Sequence, residues 1–193
     1  GAQSLCVLSR QVRNLDQALI MLLIDRAFQL AYYVAYRLHL AWNFLFRPQC
    51  HGVWVAVWSQ GQLLLIKNAY RSSITLPGGS IDGVEQPVQA ALRELREEVG
   101  IEAKPHELVF WGQYLSLVEY KYDHINLFEL ELPELPEFQL DNREVSWGAV
   151  SRPEQALALN LFPTLRIYLQ DKHAGRRPGS KNIAQGRSQD QPD

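Results

Sequence analysis

Three glutamates at helical spacing, Glu94, Glu97 and Glu98, are the residues of this chain best suited to chemistry. Side chains three or four positions apart share one side of an α-helix, so these carboxylates crowd one face. Like charges at this spacing destabilise an isolated helix by about 0.2–0.5 kcal/mol per pair, and Arg93 offsets only part of that repulsion. Carboxylate and carbonyl oxygens are the ligands that hard divalent cations prefer. The pattern therefore favours a divalent metal site over a solvated charged face.

The flanking residues place the glutamates on a helix that follows a glycine turn. Pro77, Gly78 and Gly79 are a turn signal. Pro87 stands at the first helical position, where a missing N–H is tolerated, and Gly100 is typical of a helix end. An apolar stripe at three- and four-residue spacing marks the face directed at a core: Val88, Ala91, Leu92, Leu95 and Val99.

The spacing of the fixed residues resembles the complete signature of the Nudix hydrolases. It reads Gly79, five residues, Glu85, seven residues, Arg93-Glu94-Leu95, one residue, Glu97-Glu98, one residue, Gly100-Ile101. The resemblance implies an α/β class, Nudix-type α/β/α sandwich with a mixed sheet over roughly residues 50–170. It also implies metal-dependent hydrolysis of a diphosphate linkage in a nucleoside diphosphate linked to another moiety, by water attack at phosphorus. Mg²⁺ is the implied cofactor, with Mn²⁺ as an alternative.

The same resemblance assigns roles to residues of the signature. The implied metal ligands are the carboxylates of Glu94, Glu97 and Glu98 and the carbonyl of Gly78. Arg93 is expected to orient Glu97 or simply to relieve repulsion. Glu85 is expected either to support the site or to stabilise the helix N-terminus by its charge. Many members carry Gly at the position of Val84 and Ser or Thr at the position of Gln86. The signature therefore does not settle the geometry of the turn or the capping of the helix in this chain.

The general base is left open by the signature. The base is either one of the signature glutamates or an acid outside the signature. The outside candidates are Asp141, Glu144, Glu119 and Asp123, and each of them could also be an ordinary acidic residue of a loop. Among these, Asp141 and Glu144 are also candidate substrate contacts, together with His124 and Asn126 on a predicted strand. A base could stack on Trp111, Tyr114 or Tyr120, although aromatic residues on strands are more often core.

The whole chain is consistent with one domain and appendages. It has 193 residues. Its net charge of −2 and its pI near 6.2 argue against a dedicated nucleic-acid-binding protein, which would carry an excess of basic residues. Cys6 and Cys50 share no metal spacing and predict inert thiols in a cytoplasmic protein. We expect a flexible N-terminus at 1–14, a helix at 15–47, the hydrolase domain at 48–170 and a disordered tail at 171–193.

The helix predicted over Leu15–Phe46 contains no proline or glycine and is amphipathic. Its polar face carries Arg26, Gln29, Tyr33 and Arg37, and its apolar face carries Leu23, Ala27, Leu30, Val34 and Leu38. The apolar face packs on its own domain, on a second copy in a homodimer or, less favoured, on a membrane surface. His39 is expected to be an ordinary surface residue of this helix.

The remaining pattern predicts strands around the central helix, and helices that close the domain. The strands are Val53–Trp58, Gln62–Lys67, Leu108–Val118, Ile125–Leu132 and Val145–Val150, and the helices are Pro153–Leu159 and Pro163–Leu169. Two alternatives to the nucleotide hydrolase stay open. One is a regulatory nucleotide-binding module without turnover, and the other is a membrane-associated hydrolase of a lipid or isoprenoid diphosphate.

Overall fold

The chain folds around one mixed sheet with helices on both faces. The computed structural model describes residues 2–178 and 183–184, and side chains over residues 20–178. The strands are β1 (Gln49–Ser59), β2 (Gln62–Asn68), β3 (Leu108–Ser116), β4 (Tyr122–Leu132), β5 (Val145–Ser151) and β6 (Ile183–Ala184). The helices are α1 (Ala2–Phe46), α2 (Pro87–Val99), α3 (Pro153–Ala156) and α4 (Pro163–His173), with 3₁₀ turns at Pro105–Glu107 and Val118–Tyr120.

The strands are ordered β5-β2-β1-β4-β3-β6. The central pair β1–β4 is parallel, as is the short β3–β6 pairing, and the other neighbours are antiparallel. Because β1 is central, its alternate side chains enter two separate cores. Val53, Val55 and Val57 pack beneath α2, whereas Trp54, Ala56 and Trp58 pack with α4 on the opposite face. The predicted α/β/α sandwich with an added N-terminal helix is thus confirmed.

Helix α2 begins and ends where its sequence predicts. Pro87 is its first residue, and Gly100 follows it in the left-handed conformation with φ 68°, donating its N–H to the Arg96 carbonyl. Gln86 precedes the helix without a side-chain cap. The apolar stripe is buried on the sheet, so the opposite face presents the glutamates next to the Gly78–Gly79 turn.

Helix α1 starts at Ala2 rather than Leu15, inside the segment predicted to be flexible. No proline or glycine interrupts residues 2–46, so nothing in the sequence ends the helix earlier. It packs on its own domain through Tyr36, Leu40 and Asn43, which are buried against the turn at Val118–Tyr120. The predicted apolar face, by contrast, is exposed on the outer side.

That outer side of α1 carries a seven-residue apolar repeat. The exposed residues alternate in steps of three and four: Ile20, Ile24, Ala27, Ala31, Val34, Leu38, Ala41 and Leu45. They lie half a helical turn away from the face that packs on the domain. Within the described residues, no helix is both long enough and apolar enough to cross a bilayer.

The C-terminal ends of three predicted elements differ from the structure by more than one residue. Strand β3 ends at Ser116 because Leu117, with φ −102° and ψ 12°, leaves the extended conformation before the 3₁₀ turn at Val118–Tyr120. Helix α3 ends at Ala156. Helix α4 continues to His173 and buries Asp171, so the predicted disordered tail does not start there, and most of that tail lies outside the described residues.

Candidate active site

Glu98 is the buried end of the candidate site. Its side chain is only 3% exposed, and its Oε2 accepts a 2.7 Å hydrogen bond from the Gly78 N–H. Asn68 on β2 donates to Oε1 at 3.3 Å. Burial raises the pKa of Glu98 to about 8, with Glu94 adding to the effect and the Gly78 bond opposing it. A cation bound beside this carboxyl group would favour its ionised form and lower this pKa.

Glu94 lies against the glycine turn. A Cβ at Gly79 would collide with Glu94 Oε1, and a Cβ at Gly78, with φ 151°, would collide with the backbone of Val53 on β1. Position 78 therefore requires glycine, whereas a side chain at Gly79 would force the Glu94 carboxylate away from the turn. Burial raises the pKa of Glu94, while the hydrogen bond from Arg93 lowers it in part.

Arg93 is the hub of the exposed half of the site. Its Nη2 donates to Glu85 Oε2 and to the Ser80 carbonyl, each at 3.0 Å, and its Nη1 lies 2.7 Å from Glu94 Oε1. The contact with Glu97 is longer, 3.5 Å, so Arg93 orients Glu94 more directly than the predicted Glu97. Glu85 is bound by Arg93, which lowers the pKa of Glu85.

The donor set around the turn fits a divalent cation. Gly79 and Pro77 carbonyls accept N–H groups of β1, whereas the Gly78 carbonyl between them has no hydrogen-bond partner among the described residues. Glu97 is 53% exposed and unconstrained apart from Arg93 and Arg96. In the part of the chain described, no three acidic, His or Cys side chains already converge as metal ligands. Glu98 is hydrogen-bonded to the Gly78 N–H, and Glu94 is paired with Arg93.

Of the predicted acids outside the signature, Glu144 is brought closest to this face. Glu144 lines the cleft described below, accepts a 3.3 Å hydrogen bond from the Tyr70 hydroxyl, and interacts electrostatically with Glu94 and Glu98. Burial raises its pKa. Asp141 shapes the preceding turn by accepting the Arg143 N–H.

Glu119 is not a free acid. It is 2% exposed and is held by Arg71 at 2.7 and 2.8 Å and by the Tyr36 hydroxyl at 2.9 Å. Burial acts to raise the pKa of Glu119, but the charges of Arg71 and Lys121 outweigh it and hold the pKa below its usual value. Asp123 is paired with Lys121 at 2.7 Å on the cleft wall.

His124 and Asn126 are not brought to the cleft. His124 stacks on His51 and bonds Gln49, and Asn126 donates to the Gly52 carbonyl. The predicted base-stacking residues are likewise elsewhere, since Tyr114 is fully buried, Trp111 packs on it, and Tyr120 contacts Phe44. These aromatic side chains belong to the core and to the α1 interface.

The site opens into a cleft of about 600 Å³. One end is formed by the turn and the glutamates, including Gly78, Glu94 and Glu97. Helix α1 forms the other wall, with Tyr32, Ala35, Tyr36 and His39 lining it. His39, predicted to be an ordinary surface residue, is therefore a cleft residue, and burial together with Lys121 lowers its pKa.

This α1 wall was missed because no local signal points to it. Its residues are more than 30 positions from the signature glutamates, and only the docking of α1 brings them to the cleft. Long-range contacts of this kind have no spacing rule in the sequence. The one available hint was the density of tyrosines in Tyr32, Tyr33 and Tyr36, which is also typical of an ordinary packing face.

The chain matches the family model described as "NUDIX domain" over residues 49–171. A curated relative is a probable DHNTP pyrophosphohydrolase from Lactococcus lactis subsp. cremoris (strain MG1363), 31% identical over 102 residues. That match covers 46% of this chain and 61% of the relative, so the chain spans about three fifths of the relative's length.

Solved structures share the fold. A MutT protein from Methanosarcina mazei Go1 is 19% identical and superposes with a TM-score of 0.60, covering 67% of this chain and 96% of that chain. The dihydroneopterin triphosphate pyrophosphohydrolase of E. coli is 19% identical with a TM-score of 0.51, covering 63% and 92%. At these identities the likeness shows the fold alone.

Proposed function

This chain belongs to the Nudix hydrolase superfamily, and on that premise we propose that it is a metal-dependent pyrophosphohydrolase. Its substrate would be a nucleotide-type molecule, a nucleoside diphosphate linked to another moiety, cleaved at the diphosphate linkage by water attack at phosphorus. The observation that carries the proposal is that Glu94, Glu97 and Gly78 line one end of a cleft, with Glu98 hydrogen-bonded to the Gly78 N–H. The Gly78 carbonyl has no hydrogen-bond partner among the residues that the structure describes.

The proposed metal ligands are these three carboxylates and the Gly78 carbonyl. Nudix hydrolases generally use divalent metal ions, and an all-oxygen donor set favours Mg²⁺, with Mn²⁺ as an alternative. When bound, such an ion neutralises phosphate charge and lowers the pKa of a coordinated water. The hydrogen bond from the Gly78 N–H holds the Glu98 carboxylate in place as one metal ligand, and the contact with Arg93 holds Glu94 in place as another.

Residues of the chain itself accept the proton and position the metal ligands. We assign Glu144 as the general base that takes a proton from the attacking water, because its half-buried carboxylate lies on the cleft beside the signature helix. The water oxygen bonds to phosphorus, the bridging P–O bond breaks, and its electron pair leaves on the departing phosphate oxygen. Glu85 keeps Arg93 in place, and Arg93 keeps Glu94 in place.

Two alternatives compete with this proposal. A regulatory module without turnover would not require the complete set of carboxylates, and all of them are present here. A membrane-associated hydrolase of a lipid or isoprenoid diphosphate depends on the outer face of α1 contacting a bilayer. Co-sedimentation of the chain with liposomes would support that alternative, and we expect none.

We propose a second copy of this chain as the partner of the outer face of α1. Its apolar repeat has the seven-residue period of a coiled-coil seam, and the same face on two copies is self-complementary. The seam itself carries no charged side chain. Arg26 and Arg37 are the only arginine or lysine residues between positions 20 and 46, so this segment attracts an anionic bilayer only weakly. No nucleic-acid partner is proposed.

We also propose a cytoplasmic location. Cys50 is a free thiol, and free thiols are typical of proteins in a reducing compartment. The function is tested by measuring phosphate and pyrophosphate release from a panel of dNTPs, nucleotide sugars, dinucleotides and dihydroneopterin triphosphate with Mg²⁺ and Mn²⁺. Metal-dependent release from at least one nucleotide-type compound is expected. Release from none of them, by protein that is folded, would refute the proposal.

A further inference from the structure

The wall that α1 adds to the cleft lies outside the residues that match the family model. The family match begins at residue 49, whereas α1 ends at Phe46. The common domain therefore supplies the metal end of the cleft, and α1 adds surface at the opposite wall. Because this surface is not needed to assemble the glutamates, it is free to serve another part of the substrate.

The α1 wall is fixed in place by a buried polar network. Tyr36 donates to Glu119 at 2.9 Å, and Glu119 in turn holds Arg71 through two bonds of 2.7 and 2.8 Å. The Arg71 guanidinium lies over the rings of Tyr36 and Tyr70, at 5.7 and 5.4 Å from their centroids. A wall anchored by a satisfied buried ion pair is pre-organised for binding.

Tyr32 presents an aromatic face to this cleft. Its ring stacks on Tyr70 with centroids 6.3 Å apart and an interplanar angle of 28°, and 37% of the residue remains exposed. The described residues give the Tyr32 hydroxyl no hydrogen-bond partner, so the ring rather than the hydroxyl is held by its surroundings. A ring supported from one side and open on the other is a platform on which a second planar ring can stack.

Polar groups that line the same cleft match the edge of a heterocycle. Lys121 and Asp123 form a donor and an acceptor 2.7 Å apart on the cleft wall, and His39 adds an imidazole from α1. The Lys121–Asp123 ion pair and His39 make this part of the cleft polar, and an isoprenoid or acyl chain gains nothing from contact with charged and polar groups. A nitrogen-containing aromatic ring offers donors and acceptors at its edge and a flat face for Tyr32.

We propose that Tyr32, backed by Tyr70, binds the non-phosphate group of the substrate, and that this group is a planar nitrogen heterocycle such as a nucleobase or a pterin. Tyr32 is a specificity-determining residue that touches the ring, and the glutamates hold the phosphates at the other end of the same cleft. The inference rests on the proposed function for its phosphate end. It adds the residue that contacts the ring and the helix that carries this residue to the cleft.

The test compares Tyr32→Ala and Tyr32→Phe in the full chain, with Tyr33→Ala as the matched control. Tyr33 is the next residue of α1, is 48% exposed and does not line the cleft. The probes are GTP and dihydroneopterin triphosphate as ring-bearing compounds, inorganic tripolyphosphate as a compound without a ring, and geranyl diphosphate as an isoprenoid. Turnover gives KM and kcat separately for each probe.

Loss of one ring stack is expected to raise KM for the ring-bearing probes about tenfold in Tyr32→Ala, with kcat changed less than about twofold. Tyr32→Phe should restore the wild-type KM, because it keeps the ring. Tripolyphosphate should respond to neither substitution, and Tyr33→Ala should match wild type. Equal sensitivity of geranyl diphosphate and GTP to Tyr32→Ala would overturn the assignment of a heterocycle.

A binding measurement separates this inference from the proposed function. In the Glu98→Gln background without metal, calorimetric titration reports affinity for the same probes without turnover. Tyr32-dependent binding of ring compounds, combined with no hydrolysis by the wild-type chain, would uphold the inference and refute the function. Hydrolysis of ring compounds with unchanged KM in Tyr32→Ala would refute the inference alone. Failure of every ring compound to bind would refute it as well.

Discussion

The Glu98 carboxylate and the Gly78 backbone N–H are joined by a 2.7 Å hydrogen bond across 20 residues of sequence. This bond ties helix α2 to the glycine turn, so a signature that is read along the chain becomes one site in space. Within the described part of the chain, the Gly78 carbonyl has no hydrogen-bond partner. The two residues therefore join the signature helix to the turn at the buried end of the site.

Replacing Glu98 by Gln should abolish metal-dependent hydrolysis and preserve the fold. The amide oxygen of Glu98→Gln can still accept the Gly78 N–H, but the negative charge is lost, and metal stabilisation worth several kcal/mol corresponds to a loss of about 10³-fold or more in kcat. Phosphate release and thermal unfolding are measured together. Glu102→Gln, at an exposed glutamate just beyond the signature, is the control. Equal turnover by Glu98→Gln and wild type would refute the assigned site.

Gly79→Ala should inactivate the protein through a steric effect alone. The new Cβ collides with the Glu94 carboxylate, which has to move away from the turn. Activity is compared with Gly83→Ala, a neighbouring loop position where a Cβ meets no atom within 4 Å. The left-handed backbone of Gly83 should cost about 1–2 kcal/mol of stability without changing kcat. Similar kcat values in the two variants would contradict the role given to the turn.

Arg93→Lys should lower kcat by about 10–100-fold, as is typical when a group that orients a ligand is lost. Lysine cannot reproduce the fork that reaches Glu85, Glu94 and the Ser80 carbonyl at once. A double-mutant cycle with Glu85→Gln should be strongly non-additive, since both act through Glu94. Arg96→Lys, at the exposed neighbouring arginine, should keep wild-type kcat, and additivity in the cycle would show that Arg93 and Glu85 act separately.

Glu119→Gln should destabilise the fold by about 3–5 kcal/mol at neutral pH, because it leaves the Arg71 charge without its buried partner. The folded-state pKa of Glu119 is below its ordinary value of 4.5, so its stabilisation is complete above that pH and is lost as the pH falls through the folded pKa. Urea unfolding should therefore show a wild-type advantage that shrinks below about pH 4.5. Glu137→Gln, an exposed control, should show no such dependence.

Light scattering of the full chain should give a dimer that Leu38→Glu converts to a monomer. A buried unpaired carboxylate in the seam of the seven-residue repeat is costly. Tyr33→Glu introduces the same charge on α1 at an exposed residue outside the repeat and should leave the dimer intact. A monomeric wild-type chain, or dissociation by both variants, would exclude this seam as the interface.

The sequence predicted best what is encoded locally. Helix α2 was placed within its boundaries because Pro87, the apolar stripe and Gly100 are independent signals within one short segment. Strand β1 was recognised from its run of apolar residues, and its two faces pack in two cores. The position of Arg93 in the signature likewise suggested contacts with nearby carboxylates, although Glu94 rather than Glu97 is its nearest partner.

Predictions that depended on long-range contacts fared worse. Glu119 was read as an acid in a polar turn, but it is buried by Arg71 from a distant loop and by Tyr36 from α1. The burial of Tyr36 and the exposure of Leu38 were not foreseen, because an apolar helix with two usable faces gives no local clue to which face the domain takes. His39 was assigned to the surface for the same reason.

Helix α1 is a continuous rod with its cleft-facing anchor at Tyr36 and its outer repeat beginning at Ile20. The repeat runs from Ile20 past Tyr36 to Leu45, so the repeat and the cleft wall occupy the same turns of one helix on different sides. A second copy bound along the repeat would therefore brace the turns that carry Tyr32 and Tyr36. In this geometry, assembly and substrate choice would depend on one shared helix, while the glutamates lie on another.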